Sequence, residues 1–324
     1  GTKAAVPVLA GMLADEKLNH SARYALELNP DPSVDETFRA ALGQLKGRPL
    51  VGVINSIGVR RDAKATGALA GLLSNADADV AQAAARSLGK IGTSDAAKAI
   101  QGVLAGASAA NRLPFCEGLF RCAESLAAKG QRKDALAIYD NLRALKEPHQ
   151  VRAGGWRGAI VTRGKDGGSL LAEAFRSDDW IVVAAAARAA MELPGTEATP
   201  VLTAELGKGS ADKKLLLIRV LGKRTDAAAL PALFATAKSG PKPIRVAAIR
   251  AIAEIGQPKA ASGLVQMLSD ADKEITQVAQ ESLASLPGPE TDAIVLAMLN
   301  ASDAGRRITG LDLIARRRMT GSLD

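Results

Sequence analysis

The sequence has little aromatic surface and almost no cysteine or histidine. Of its 324 residues only 3% are aromatic, two are Cys and two are His, whereas Ala makes up about a fifth. So few Phe, Trp and Tyr side chains argue against a β-sandwich or barrel, whose half-buried strands favour them. A hydrophobic content of 47% with only 23% charged residues excludes a disordered chain. The composition therefore favours packed helices.

Long hydrophobic runs are missing as well. A membrane-spanning helix needs about 18 or more consecutive apolar residues. The best candidate stretches are interrupted by Arg188 and Lys214. We therefore predict that the chain does not insert into a membrane.

The Cys and His residues are spaced in ways that argue against disulfide, metal and imidazole chemistry. Cys116 and Cys122 lie in a predicted helix, where six residues of helical rise separate their Cα atoms by about 9 Å, beyond disulfide reach. His20 and His149 are far apart, and neither forms a helical zinc-binding pair with a second His or with Glu. We predict free thiols, solvated or capping histidines, no metal site and no cofactor.

The sequence repeats with a period of 31 residues. One column consists of residues that close an apolar helical run before a polar turn, and a second column lies 13 positions further on. The first column is Leu13, Leu42, Leu73, Leu104, Phe175, Leu206, Ala237, Leu268 and Leu299, and the second is Arg86, Arg157, Arg188, Arg219, Arg250, Glu281 and Asp312. Each column contains one step of 71, which is one period plus a block of 40. This shared irregularity indicates a structural repeat.

Each period predicts two helices joined by a short polar turn. Residues 63–74 carry one apolar stripe, residues 75–79 supply turn and N-cap side chains, and residues 80–91 carry a second stripe before Gly92. One such hairpin cannot bury both of its faces alone, so the hairpins must stack. We predict an all-α fold, an α-α superhelix or right-handed solenoid of about ten stacked hairpins. The array forms a single domain over 1–324, with first repeats at 1–110, an irregular longer hairpin at 111–148 and regular repeats at 149–324.

Two segments carry a family resemblance. ADVAQAAARSLGKIG at 78–92 and IRVAAIRAIAEIG at 244–256 resemble the short HEAT repeats called bilin-lyase-type HEAT-like repeats. The resemblance implies a helical solenoid and no single function, since such arrays serve unrelated tasks. It also implies that the chain is a segment of a larger bacterial multidomain protein. Within the irregular block, Gly130, Ala135 and Tyr139 resemble the second half of a tetratricopeptide unit.

The second column predicts a ladder of arginines. In such arrays the second helix of each hairpin lines the concave side, which would place the column in a groove with Trp180 beside it. The candidate ligand-binding residues are Arg86, Arg157, Arg188, Arg219, Arg250 and Trp180. Two interpretations stay open. Arg188 with Glu192 and Arg250 with Glu254 have the spacing of structural i,i+4 pairs, whereas the column as a whole would attract an acidic protein segment, another anion or nucleic acid.

Signals for an enzyme are nearly absent. The phosphate-loop-like segment 158–165 has the wrong glycine spacing, and Asp166 replaces the hydroxyl residue that binds magnesium. Asp178 and Asp179 beside Trp180 could suggest a HEAT-like DNA glycosylase, but they occupy a turn and N-cap position. No chromophore motif accompanies the resemblance to bilin lyases. We therefore predict a non-enzymatic protein–protein interaction scaffold with an acidic partner, able to self-associate through its array ends. The alternative is anion or nucleic-acid binding through the Arg ladder.

Overall fold

The computed structural model describes residues 2–146 and 148–319, and all regular secondary structure in this part of the chain is helical. Its α-helices pair in sequence into ten antiparallel hairpins, as the period predicts. By contacts between residues, the chain divides into two compact units, 1–163 and 164–324, with five hairpins each.

The first unit contains helices α1 to α10. They are α1 (Ala5–Gly11), α2 (Asn19–Glu27), α3 (Ser33–Ala41), α4 (Gly47–Arg60), α5 (Thr66–Leu72), α6 (Ala78–Ile91), α7 (Ser94–Leu104), α8 (Ala109–Ala128), α9 (Arg132–Arg143) and α10 (His149–Arg163). A short 3₁₀ turn, Ala63–Ala65, leads into α5.

The second unit contains helices α11 to α20. They are α11 (Gly168–Arg176), α12 (Trp180–Glu192), α13 (Ala198–Leu206), α14 (Ala211–Arg224), α15 (Leu230–Lys238), α16 (Lys242–Ile255), α17 (Ala261–Met267), α18 (Lys273–Ser285), α19 (Pro289–Ala297) and α20 (Ala304–Arg316). The 3₁₀ turns are Gly164–Gly167, Ala227–Ala229, Pro258–Ala260 and Met298–Asn300.

Within each unit the second helices of successive hairpins stack directly on one another. In the first unit α2, α4, α6 and α8 follow in order, and in the second α12, α14, α16, α18 and α20 do so. This stacking gives equivalent residues of successive hairpins equivalent surroundings, which is why the sequence columns exist.

Polar turn residues set where the second helices begin. The side chains of Asp77, Asp179 and Asp272 each accept a hydrogen bond from the backbone N–H two residues further on, at the starts of α6, α12 and α18. These bonds satisfy helix-terminal donors that have no partner within the helix. At the other end, Gly92 and Gly256 adopt φ of +65° and +72° after α6 and α16. This left-handed conformation ends a helix at little cost when the residue is Gly.

The first sequence column is a core column with three exceptions. Leu13, Leu42, Leu73, Phe175, Leu206 and Ala237 are buried. Leu104, Leu268 and Leu299 are only half-buried, so the prediction that Leu268 closes a core stripe is wrong. In the repeats of Leu268 and Leu299 the preceding residue, Met267 or Met298, is the buried one. The flexible Met side chain fills the core one position earlier.

The irregular block at 111–148 spans most of α8, the second helix of the fourth hairpin, and all of α9, the first helix of the fifth. Helix α8 has 20 residues, whereas the other second helices of its unit have 9 to 15. Gly130, at φ +78°, makes the turn to α9, and Ala135, Tyr139 and Leu142 are buried against the neighbouring helices. Helix α9 packs extensively on α10. The extra residues of the block therefore lie in the long α8 and in the turn to α9, and the pairing of helices in sequence continues with α9 and α10.

Candidate functional site

Three predicted ladder residues occupy equivalent positions on three stacked helices of the second unit. Arg188, Arg219 and Arg250 lie on α12, α14 and α16, and all three are exposed. We call the surface that they define the α12/α14/α16 face. Within the described residues, no carboxylate lies within 4.0 Å of any of the three guanidinium groups. These cations are therefore open to a ligand.

The i,i+4 ion pair that the spacing of Arg250 and Glu254 suggests is not formed within the described part of the chain. The carboxylate expected to pair with it, that of Glu254, instead binds Lys223 of the preceding second helix. Residues 31 apart face each other across stacked helices, so Lys223 reaches this carboxylate from the neighbouring repeat. Arg188 forms no ion pair with Glu192 either within the described residues.

Trp180 begins α12 and is 49% exposed. Asp179, directly before it, is the N-cap residue and accepts a hydrogen bond from the Ile181 N–H at 2.9 Å. This is the capping role expected for the acid at this position. Because the indole is large and half accessible, Trp180 can contact a ligand while its helix start stays fixed.

The ladder residues of the first unit have different environments. Arg86 of α6 donates from Nε to Glu117 Oε2 of α8 at 3.2 Å, and both side chains are partly exposed. Arg157 of α10 is half-buried. Burial raises the pKa of the nearby Tyr139 hydroxyl to about 12, and the positive charge of Arg157 opposes this rise. We therefore do not include these two residues in the α12/α14/α16 face.

A cation–π contact in the first unit was not foreseen. The guanidinium carbon of Arg143 lies 4.7 Å from the ring centroid of Trp156. Arg143 also donates to Asp140, whose other oxygen binds Arg163 at 2.7 Å. Burial alone would raise the pKa of Asp140, but the hydrogen bonds from these two arginines outweigh it and lower that pKa. The Trp156 indole is thus in contact with Arg143 of its own unit, whereas the Trp180 indole is half exposed.

Three other arginines bind the carbonyl ends of neighbouring second helices. Arg60 Nη1 donates to Asn29 O at 2.7 Å, Arg224 Nη1 to Leu193 O at 2.9 Å, and Arg317 Nη1 to Leu283 O at 2.7 Å. We call them the carbonyl-binding arginines. Each stands at the end of its own second helix and satisfies carbonyls that the preceding one leaves without partners. Arg317, from the terminal basic run, is therefore structural, with a side chain only 7% exposed.

Among the described residues, the two cysteines, the two histidines and the phosphate-loop-like segment show no sign of a catalytic site. Cys116 and Cys122 are free and buried, and desolvation raises their thiol pKa values to about 11 and about 12. His20 and His149 are exposed. The segment 158–165 is mostly part of α10 and forms no phosphate loop.

The described part of the chain offers neither a metal-binding cluster nor a membrane-spanning helix. No group of three or more His, Cys, Asp or Glu side chains in it could hold a metal ion. Among the described helices none has the length and apolar character to cross a bilayer.

Comparison with known proteins places the repeats in a known class. Residues 199–284 match the family HEAT repeats, and residues 80–106 match the PBS lyase HEAT-like repeat. The chain thus contains HEAT repeats of the kind that its sequence resembles. No curated protein matches it significantly in sequence.

Solved structures with a similar fold are helical-repeat proteins. Kap121p bound to Ste12p is 11% identical, with a TM-score of 0.58, covering 97% of this chain and 41% of Kap121p. Kap95p is 12% identical, with a TM-score of 0.55. Its structure is described as showing that Kap95p binding induces the switch loops of RanGDP to adopt the GTP-bound conformation. That alignment covers 98% of this chain and 52% of Kap95p. The chain therefore spans about half of Kap95p and less than half of Kap121p, and the likeness establishes an all-α solenoid fold alone.

Proposed function

We propose that this chain is a non-enzymatic protein-binding scaffold, and that its second unit binds an acidic segment of a partner through the α12/α14/α16 face. The observation that carries the proposal is the row of Arg188, Arg219 and Arg250, exposed at one position of three stacked helices, with no carboxylate of the described residues within 4.0 Å of their guanidinium groups. Trp180 supplies an aromatic contact at the start of α12. Arg and Trp are enriched at protein interfaces, where they contribute much of the binding energy.

The fold supports a binding role. Kap121p and Kap95p, whose structures are similar, bind the proteins Ste12p and RanGDP. A stack of helices repeats the same surface position at regular intervals, which suits an extended polypeptide better than a compact metabolite.

The charge near Arg250 argues against nucleic acid as the ligand. A groove of about 560 Å³ beside this residue is also lined by Glu254 and Glu281. Glu254 is paired with Lys223, but the exposed carboxylate of Glu281 would repel a phosphate backbone, whereas a polypeptide can change its charge along its length. The partner segment should therefore be acidic opposite Arg188 and Arg219, and neutral or basic beyond Arg250.

The experiment compares two triple variants that lose the same charge. The arginine variant combines Arg188→Ala, Arg219→Ala and Arg250→Ala. The lysine variant is the control and removes three exposed cations elsewhere in the unit, through Lys238→Ala, Lys259→Ala and Lys273→Ala. Poly-glutamate and a random DNA duplex serve as probes, with Trp180 fluorescence read in a Trp156→Phe background. We expect poly-glutamate to change the emission of the parent and of the lysine variant, and to bind the arginine variant at least about tenfold more weakly.

Two results would count against this proposal. Equal losses in the two variants would mean that only net charge matters. Tight duplex binding that falls steeply with salt would favour nucleic acid, because counterion release is its signature.

Self-association through the array ends stays a prediction. On α20 the side chains of Ile308 and Leu311 are 67% and 54% exposed, and on α2 that of Tyr24 is 61% exposed. Sedimentation velocity over a range of concentrations would detect such contacts, and Ile308→Ser with Leu311→Ser should abolish them.

A further inference from the structure

A pocket lies in the first unit beside the long helix α8. Its volume is about 550 Å³, within the range of small-ligand sites. Helices α7, α8 and α9 surround it, and we call it the α7–α9 pocket. The residues used below are Leu104, Leu119, Leu142, Leu145, Arg112 and Lys146.

Helices α7 and α9 are linked near their N-termini and line the pocket near their C-termini. Near their N-termini, Ser94 Oγ donates a hydrogen bond to Asp134. Near their C-termini, Leu104 of α7 and Leu142 of α9 face the pocket instead. The pocket thus lies between the C-terminal ends of two helices that are linked at their starts.

The floor of the pocket is aliphatic. Leu119 and Leu142 are fully buried, whereas Leu104 and Leu145 are half-buried at its edge. Covering such edge side chains with an apolar group removes hydrocarbon from water, which is favourable. The floor therefore selects an aliphatic or aromatic side chain.

Two cations without acidic partners stand at the rim. Arg112 is half-buried in the first turn of α8, and Lys146 is exposed beyond α9. Among the described residues, no carboxylate lies within 4.0 Å of either side chain. A partly desolvated guanidinium gains most from a carboxylate, which it can bind through two hydrogen bonds. The charge of the rim therefore selects an acidic group beside the apolar one.

We propose that the α7–α9 pocket binds a partner polypeptide through an apolar side chain, Leu or larger, that is flanked by Asp or Glu. The apolar side chain occupies the floor, and the flanking carboxylates bind Arg112 and Lys146. This inference rests on the proposed function in one respect, that the ligand is a polypeptide. It concerns a different unit and different residues, so each can fail without the other.

The test uses small probes of matched composition. Capped tripeptides Glu-Leu-Glu, Lys-Leu-Lys and Glu-Ala-Glu, together with octanoate, are titrated to about 10 mM, where a millimolar site is mostly filled. Methyl resonances of Leu104, Leu142 and Leu145 report binding by NMR. We expect Glu-Leu-Glu to shift them, and the other two peptides to do so at least about tenfold more weakly.

Variants assign the binding to the pocket. Ala105 is exposed at the pocket, so Ala105→Trp should fill it without disturbing the core, and Ala76→Trp in an exposed turn is the control. Arg112→Gln with Lys146→Gln removes the rim charges, and Arg48→Gln with Lys133→Gln removes two exposed charges elsewhere in the unit. Glu-Leu-Glu binding should be lost in Ala105→Trp and in the Arg112→Gln, Lys146→Gln double variant. It should be kept in the two controls, Ala76→Trp and the Arg48→Gln, Lys133→Gln double variant.

Each other result overturns the proposal. Equal shifts with Lys-Leu-Lys would exclude a role for the rim charges, and binding that survives Ala105→Trp would place the site elsewhere. Shifts with octanoate but not with Glu-Leu-Glu would make the pocket a site for small carboxylates. Absence of any shift with Glu-Leu-Glu at the highest concentration would also refute it. Poly-glutamate binding to the second unit would be unaffected by all these outcomes.

Discussion

Gly89 of α6 and Gly118 of α8 lie backbone against backbone, with no room for a side chain on either. A Cβ atom on Gly89 would be 2.8 Å from the Gly118 Cα, and one on Gly118 would be 2.5 Å from the Ala85 carbonyl oxygen. The absence of these two side chains sets how closely the second helices of the third and fourth hairpins approach.

Gly118→Ala should therefore destabilise the first unit. The new methyl group would press on backbone, which cannot turn away as a side chain can, and overpacking of this kind costs about 1–3 kcal/mol. Gly102→Ala on α7 is the matched control, since a Cβ there meets nothing within 4 Å. Ala favours a helix over Gly by up to about 1 kcal/mol, so the control should gain stability. Urea unfolding followed by circular dichroism would separate the two, and equal midpoints would show that α6 and α8 can move apart.

Arg317→Ala and Arg316→Ala should differ although the residues are neighbours. The Arg317 side chain is only 7% exposed, donates to the carbonyls at the end of α18 and binds Asp292 Oδ1 at 2.8 Å. Its loss should cost about 1–3 kcal/mol, because those acceptors would remain without partners. Arg316 is half exposed and pairs only with Asp312, and such a surface pair contributes at most about 1 kcal/mol. Thermal unfolding of both variants tests this, and a larger loss for Arg316→Ala would contradict the assignment.

Thr199→Asp should stabilise the second unit. Two of the three carbonyl-binding arginines use Nε to bind an Asp 25 residues earlier, Arg60 with Asp35 and Arg317 with Asp292. At the third, Arg224, that position is Thr199, and Arg224 Nε and Thr199 Oγ1 are both buried without a partner in the described chain. A carboxylate there would satisfy the guanidinium, and we expect a gain of about 1 kcal/mol. Thr203→Asp, one turn further along α13, is the control, and a loss of stability in Thr199→Asp alone would show that the carboxylate cannot reach Nε.

Glu205 should make the second unit sensitive to acid. The hydrogen bonds from the Arg176 guanidinium lower the pKa of this carboxyl below its ordinary value of 4.5, with burial opposing and Lys208 assisting. Because the folded pKa is the lower one, the stabilisation is complete above the unfolded value and is lost as pH falls through the folded value. Wild type should therefore exceed Glu205→Gln in urea midpoint at pH 7, and the difference should disappear in strong acid. Glu173→Gln, an exposed residue of α11, should show little difference at any pH, and a pH-independent gap for Glu205→Gln would exclude the ionic contribution.

Leu73→Ala should be more costly than Leu268→Ala. Leu73 is 2% exposed, and its truncation should cost about 2–5 kcal/mol. Leu268 is half-buried beside buried Met267, so it leaves a smaller cavity and a smaller loss. Stability measured by urea would decide between them, and hydrogen exchange should confine each effect to adjacent hairpins, since contacts in such arrays are local.

The repeat explains which parts of the structure could be predicted. The period located the hairpins, and polar turns followed by apolar stripes located N-caps such as Asp77 and Asp179, because these depend on residues close in sequence. The carbonyl-binding role of Arg224 and Arg317 was missed, since Ile91 and Ile255 stand at the equivalent ends of α6 and α16 and leave no complete column. The ion pair between Glu254 and Lys223 was missed as well, because it joins two neighbouring helices and is not visible in the i,i+4 spacing within one helix. The α7–α9 pocket depends on how two helices diverge, which no residue pattern records.

The carbonyl-binding arginines also bear on the order in which helix ends are completed during synthesis of the chain. Each of these arginines binds a helix end of the preceding hairpin. It stands 31 to 34 residues after the residue whose carbonyl it binds. On the ribosome, α2 therefore emerges before Arg60, and α18 before Arg317. Until the next hairpin has been synthesised, the last turn of the earlier one has only water to bind its carbonyls. We expect a nascent chain halted between the two to fray at that turn, so that in these three cases the later hairpin completes the helix end of the earlier one.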